Sequence, residues 1–257
     1  MRTEEWKPPI DLRTAYSNDG YVVAKQVFSP SDLKTLCQTL RSVLNKSLSD
    51  EPDHPSSLDE LIVRCESRDH SIVYKAAQSV GSSAATCQLL GSSRILDLVS
   101  EIGGFEKTEL HIMPLYLIIQ LPSDERFDYA WHQDGSYYPW CRELATLWFP
   151  INRRVDRDTG TISMIPGSHR TGPRETENYL RNGFFKQMQA KLELGEADKE
   201  QVLEAGPGDC CIMNGNTVHR SVANRSMSPR VAAVLRIAHL SAEQEYERER
   251  FYCVHKS

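Results

Sequence analysis

The chain predicts an α+β fold: a helical N-terminal layer laid on a mainly antiparallel β core. Three observations carry this. Apolar residues recur at helical spacing through the first hundred positions, as in Leu33, Leu36, Leu40, Val43 and Leu44. From Glu109 the text becomes β-rich, beginning with Leu-His-Ile-Met-Pro-Leu-Tyr-Leu-Ile-Ile-Gln over 110–120. Short strand-like runs separated by turn clusters then follow to about residue 240. Helices gathered at one end of the chain and strands at the other place helices on one face of a sheet.

The elements follow in order. Asp19-Gly-Tyr-Val-Val reads as a turn into a short strand. Ser29-Pro-Ser-Asp supplies an N-cap, a proline in the first turn and an early acid, so a helix starts there and runs to about Leu48. Residues 49–58 form a polar, proline-bearing loop in which His54 is not expected to bind a metal. Residues 58–103 are mostly helical and end at Gly103-Gly104. After the strand at 110–120 and a turn near Pro122, strands are expected at 144–151, 161–165, 209–213 and 230–240. Residues 170–204 interrupt this pattern with a charged, helix-prone insertion that serves either as a pocket wall or lid or as a solvated decoration. The charged tail 241–257 reads as a solvated helix.

With 257 residues and 40% hydrophobic content, the chain suits one domain: a helix-rich part at 1–108, the β core at 109–240 and the tail. The net charge of −5 lacks the basic excess of a nucleic-acid binder. No apolar run is long enough to span a membrane, and the first residues carry acids and prolines where a signal peptide needs an apolar stretch. A cytoplasmic location is therefore expected. Seven cysteines without paired spacing argue against a disulfide framework, and all seven are expected to be packing thiols. In Cys210-Cys211, strand alternation lets at most one thiol point inward.

Chemistry concentrates at His132-Gln133-Asp134, with His219 and Arg230 downstream. On extended backbone, residues two apart point the same way, so His132 and Asp134 can reach one ion, and a rolled sheet can bring His219 to it. Two imidazoles and one carboxylate are the facial triad of non-heme Fe(II), which leaves three coordination positions open. Arg230, eleven residues after His219, lies in an apolar run where an unpaired guanidinium is costly. A bidentate pair with the remote carboxylate of a 2-oxo acid would satisfy it. Arg236, six residues on and in phase, is the competing candidate.

The run Ala-Trp-His-Gln-Asp-Gly-Ser-Tyr-Tyr, then Met164-Ile-Pro-Gly-Ser-His, then Gly208-Asp-Cys-Cys, then His219-Arg-Ser, resembles the phytanoyl-CoA dioxygenase family of Fe(II)/2-oxoglutarate-dependent oxygenases. The resemblance covers about residues 15–240 and is most specific from His132 to Arg230. It implies a double-stranded β-helix, a relative of the jelly roll and the cupins. It implies metal ligation by His132, Asp134 and His219, with Fe(II), 2-oxoglutarate and O₂ as the reacting set. It favours Arg230 over Arg236 for the C5 carboxylate of 2-oxoglutarate, with Ser221 as hydroxyl partner and Trp148 as the nearby aromatic. The implied reaction is hydroxylation or another oxidation of a small-molecule C–H bond, with release of succinate and CO₂. Related halogenases replace the carboxylate ligand by a small residue; Asp134 keeps it.

Other residues weigh less. Trp131, Tyr137, Tyr138 and Trp140 crowd the triad, and Lys75 and Tyr116 are weaker candidates for the same site. His169 is expected to pin a turn, and His111 and His239 to be satisfied core histidines. Two readings stay open beside the oxygenase: a cupin-like metal-dependent isomerase or hydrolase that does not use 2-oxoglutarate, and a non-catalytic β-barrel that binds a ligand. The expected partner is a small-molecule substrate, not nucleic acid or membrane; substrate identity and oligomeric state are not legible.

Overall fold

The computed structural model describes residues 11–239 except 51, 54, 127, 142 and 182–184, with side chains described outside 179–186. Six helices precede most of the strands: α1 (Asp11–Asp19), α2 (Pro30–Lys46), α3 (Leu58–Arg68), α4 (His70–Gly81), α5 (Ala84–Leu90) and α6 (Ser93–Gly103). The strands are β1 (Tyr21–Ala24), β2 (Leu110–Ile112), β3 (Tyr116–Gln120), β4 (Glu143–Pro150), β5 (Thr159–Met164), β6 (Thr176–Arg181), β7 (Phe185–Ala190), β8 (Gln201–Val202), β9 (Cys210–Asn214), β10 (His219–Asn224) and β11 (Arg230–His239).

The caps explain the helix starts. Before α2, the Ser29 hydroxyl accepts from the Asp32 amide while the Asp32 carboxylate accepts from the Ser29 amide, a capping box that satisfies two orphan donors. Ser57, Asp69 and Ser83 cap α3, α4 and α5 in the same way from one side. Leu33, Leu36, Leu40 and Leu44 of α2 are buried on one face, as their spacing predicts. Helix α1 escapes the sequence reading. It is short, and only Leu12 and Tyr16 are buried on it.

Pairing is antiparallel throughout the described strands. One sheet runs β1-β9-β4-β11-β2, with β3 also pairing to β11. A second runs β10-β5-β8, and β6-β7 stand apart as a hairpin. The large sheet is covered on both faces. Its helix side packs Leu147, Phe149, Ile212, Val231, Ala233 and Leu235 against the helical layer. Its other side packs Trp148, Met213, Ala232 and Val234 against Ile162 and Met164 of the small sheet. The chain is thus three layers: helices, large sheet, small sheet.

Two-sided cover corrects the expectation for Cys210-Cys211. Alternation does point them apart, but Cys210 enters the helix-side core and Cys211 the space between the sheets, so both are buried. Cys87 departs from the packing role in the other direction and is exposed. The helix-prone reading of 170–204 is also corrected: Thr176–Arg181 and Phe185–Ala190 are the strands β6 and β7 of the hairpin. Local helix propensity loses here to tertiary hydrogen bonds. Ala190 N donates to Trp131 O at 2.8 Å, Met188 N to the Tyr137 hydroxyl at 2.9 Å, and buried Gln187 bonds Ala130 N and Asp128 O. The tail 241–257 and His54 lie outside the described residues.

Candidate metal centre

His132 and His219 meet through backbone. They exchange both amide–carbonyl bonds, His132 N to His219 O at 2.9 Å and His219 N to His132 O at 3.0 Å, as an isolated antiparallel bridge. Directly opposed residues of such a pair present their side chains on one face. The imidazole centroids are accordingly 4.1 Å apart. Gln133 is extended (φ −118°, ψ 134°), so Asp134 returns to the side of His132. The sequence expectation of a strand holds only this far, because Asp134 opens a short 3₁₀ helix, Asp134–Tyr137. Gln133, facing the other way and fully buried, anchors the segment. Its amide nitrogen donates to Gly172 O and Asn216 O, and its oxygen accepts from Arg174 N. Gly135 packs closely here: a Cβ there would stand 3.0 Å from Asn216 Oδ1 and 3.2 Å from Gly215 O.

The three side chains offer one ligand atom each, all within 4.8 Å of one another, and all three residues are buried. His132 Nδ1 lies 2.8 Å from Ala130 O and His219 Nδ1 2.9 Å from Thr217 O. A carbonyl can only accept, so each ring carries its proton on Nδ1 and leaves the Nε2 lone pair free. Burial, and next the neighbouring His219, hold His132 down to about 3, so it stands neutral, as a ligand must. His132 Nε2 is 3.9 Å from Asp134 Oδ1.

Asp134 is gripped on both oxygens. Thr146 Oγ1 donates to Oδ2 at 2.5 Å and Arg236 Nη2 to Oδ1 at 2.8 Å. Thr146 of β4 and Arg236 of β11 are register partners, so one rung of the large sheet holds the carboxylate. Burial alone would raise the Asp134 carboxyl, but the Arg236 guanidinium, then His219, hold it well below the usual carboxylate range. Arg236, the competing candidate for the cosubstrate carboxylate, is instead bonded to Asp134 of the candidate triad.

Arg230, at the other end of the same strand face, is 2% exposed. Its Nη2 donates to Gln120 Oε1 at 2.5 Å, and its Nε is buried without a hydrogen-bond partner. Its guanidinium carbon sits 5.6 Å from the Trp148 ring centre. Among the described residues no carboxylate lies within ion-pair distance of it; burial lowers its pKa to about 10, opposed by Asp128 at longer range. A buried guanidinium with an unused donor can receive an anion.

One cavity of about 350 Å³ joins these groups. His132, Asp134, His219, Arg230, Ser221 and Trp148 all line it, so the six residues expected to hold metal and cosubstrate reach one space. Tyr116, Tyr129, Tyr137 and Tyr138 add aromatic wall, and Val73, Tyr74 and Ala77 of α4 close the outer side. Lys75 does not line it; it is exposed, and its ammonium bonds Ser71 of the same helix. Trp131 lies outside, under the Arg220 guanidinium at 4.7 Å. Trp140 packs edge-on to Tyr138 beside a small apolar cluster. His169 bonds Ser17 O at 3.2 Å, as a turn-pinning residue would. His239 is no core histidine, standing between Glu109 and Glu143 at 2.7 and 2.6 Å. Sequence reasoning missed Thr146, Gln120 and Gln187. Only the inward phase of Thr146 beside Trp148 could have flagged one of them.

Two imidazoles, one carboxylate and a buried arginine in a shared cavity are the donor set of the non-heme iron oxygenases that use 2-oxoglutarate. The chain belongs to the phytanoyl-CoA dioxygenase family, whose model matches residues 16–232. It is 35% identical over 102 residues to a 1-deoxypentalenic acid 11-beta-hydroxylase of Streptomyces arenae, a match covering 38% of this chain and only 35% of that hydroxylase. It is 24% identical to an ectoine dioxygenase of Sphingopyxis alaskensis across 90% of this chain and 77% of that one. Among solved structures it resembles EvdO2 from Micromonospora carbonacea var. aurantiaca complexed with 2-oxoglutarate, with TM-score 0.62 and 17% identity over 93% and 96% of the two chains. No described helix is long and apolar enough to cross a membrane.

Proposed function

We propose that this protein is an Fe(II)/2-oxoglutarate-dependent dioxygenase that hydroxylates or otherwise oxidises a C–H bond of a small-molecule metabolite, releasing succinate and CO₂. The observation that carries the reading is a three-donor centre and a buried arginine with an unused donor facing one cavity. The family assignment and the hydroxylase and dioxygenase relatives support it.

In this reading His132, Asp134 and His219 hold the metal through Nε2, a carboxylate oxygen and Nε2. Bound Fe(II), with 2-oxoglutarate and O₂, supplies the oxidising chemistry. The protein's own work is positioning. Ala130 O and Thr217 O fix the imidazole tautomers. Arg236 and Thr146 keep Asp134 ionised and aimed. Arg230 takes the C5 carboxylate of 2-oxoglutarate, with Ser221 and Trp148 beside it. The tyrosines and α4 bound the remaining space, where an apolar or ring-bearing substrate fits and bulk water is displaced. The two facing antiparallel sheets fit the double-stranded β-helix of such enzymes. The cysteines of the described part carry no disulfide, which suits the reducing cytoplasm.

The test is anaerobic loading with Fe(II), then exposure to O₂ with 2-oxoglutarate and a panel of candidate metabolites. Succinate should form with the parent and not with His132→Ala. Turnover of a candidate metabolite without succinate would refute the cosubstrate assignment and return the protein to the isomerase or hydrolase reading.

A further inference from the structure

Gln120 ends β3 and is fully buried. It lies opposite Arg230 in the β3–β11 register. Its amide is a bridge between two charges. Arg230 Nη2 donates to Gln120 Oε1 at 2.5 Å, and Gln120 Nε2 donates to Asp128 Oδ1 at 2.7 Å. The orientation of the amide is forced, because a guanidinium can only donate and a carboxylate can only accept. Asp128 is itself 8% exposed. The position is built to hold the amide. Gly160 sits at φ +82°, and a Cβ there would fall 2.7 Å from Gln120 Oε1, so only glycine leaves room. Asn224 Nδ2 donates to the Gln120 main-chain carbonyl at 3.1 Å, which fixes the backbone that carries the amide.

A buried guanidinium and a buried carboxylate this close would normally pair directly, and the pair would then be closed to a ligand. Here a neutral residue satisfies one donor of Arg230 and one acceptor of Asp128 while keeping them apart. Arg230 Nε is left over. We infer that Gln120 is a positioning residue: a neutral spacer that keeps Arg230 open as a receptor for the remote carboxylate of the cosubstrate. The inference rests on the proposed role of Arg230 and adds what makes that arginine available. It acts on the remote carboxylate alone, so it leaves chelation at the metal untouched.

The experiment is calorimetric binding to the metal-loaded protein without O₂, using two probes. One is 2-oxoglutarate. The other is oxalate, which chelates a metal but has no remote carboxylate. Gln120→Glu puts a carboxylate onto Arg230 and should weaken 2-oxoglutarate by roughly 30-fold or more, the loss of a paired guanidinium. Oxalate and the metal itself should change by less than about threefold. In an Arg230→Ala background the same change should cost 2-oxoglutarate nothing further. Gln120→Met, which has no charge and similar bulk, covers the case in which Gln120→Glu fails to fold. It removes the spacer, lets Arg230 turn to Asp128, and should weaken 2-oxoglutarate but not oxalate. Equal losses for both probes, or loss for neither, overturn the spacer. If Arg230→Ala itself leaves 2-oxoglutarate binding intact, the failure belongs to the assignment of Arg230 and not to Gln120.

Discussion

Arg230 and Arg236 stand six residues apart on one face of one strand, the first buried, the second half-buried, both lining the same cavity, yet their surroundings differ in kind. Opposite Arg236 is Thr146, and both hold the Asp134 carboxylate. Burial pulls the Arg236 guanidinium down, but Asp134 with Tyr138 and Tyr129 outweighs it and raises it above its ordinary value, so its charge is secured. Opposite Arg230 is the amide of Gln120, and burial leaves its pKa lowered to about 10. One arginine is already matched within the chain and serves the proposed metal ligand. The other is held in place but unmatched, which is how a ligand site differs from a structural ion pair.

The largest expected effect lies outside both arginines and sets the scale. His132→Ala, Asp134→Ala and His219→Ala should each abolish metal-dependent turnover while the chain stays folded, as judged by thermal unfolding alongside metal titration. Full activity in any one at ordinary iron concentration removes that residue from the triad. Next, Arg230→Ala should weaken 2-oxoglutarate roughly 30-fold or more, from a loss of about 2–5 kcal/mol. Arg230→Lys should recover only part, since an ammonium lacks the fork. Arg236→Ala should then weaken the metal itself on the order of tenfold, the usual cost of losing a partner of a metal ligand. Its mark is a shift in metal titration; a wild-type metal affinity would make the Asp134 contact idle. The smallest effect belongs to the hairpin. Gln187→Ala strands Ala130 N and Asp128 O and should cost about 1–3 kcal/mol of stability, read by denaturant unfolding. An unchanged midpoint would make the hairpin a decoration after all.

What was legible in the sequence follows from these contacts. His132, Asp134 and His219 stand at a spacing that backbone geometry can be checked against, so the candidate centre is legible in the chain. The phase of Arg236 was legible too, but not its partner, because a register across β4 and β11 is a long-range fact. Gln120 and Gln187 carry no charge and sit in unremarkable text, and only their buried partners reveal them. The hairpin was misread because Phe184-Phe-Lys-Gln-Met-Gln-Ala-Lys-Leu satisfies a helix locally, whereas its strand is fixed by bonds to residues 128–137. The helices were easier: their caps and apolar stripes are local.

The central claim is a division of labour along β11, and one crossed titration tests it directly. Metal and then 2-oxoglutarate are titrated by calorimetry, without O₂, into the parent, Arg230→Ala and Arg236→Ala. The account predicts that Arg230→Ala keeps metal affinity and loses 2-oxoglutarate, while Arg236→Ala loses metal affinity and, once saturated with metal, binds 2-oxoglutarate within a few-fold of the parent. The reverse pattern, with Arg236→Ala losing 2-oxoglutarate and Arg230→Ala silent, would contradict it.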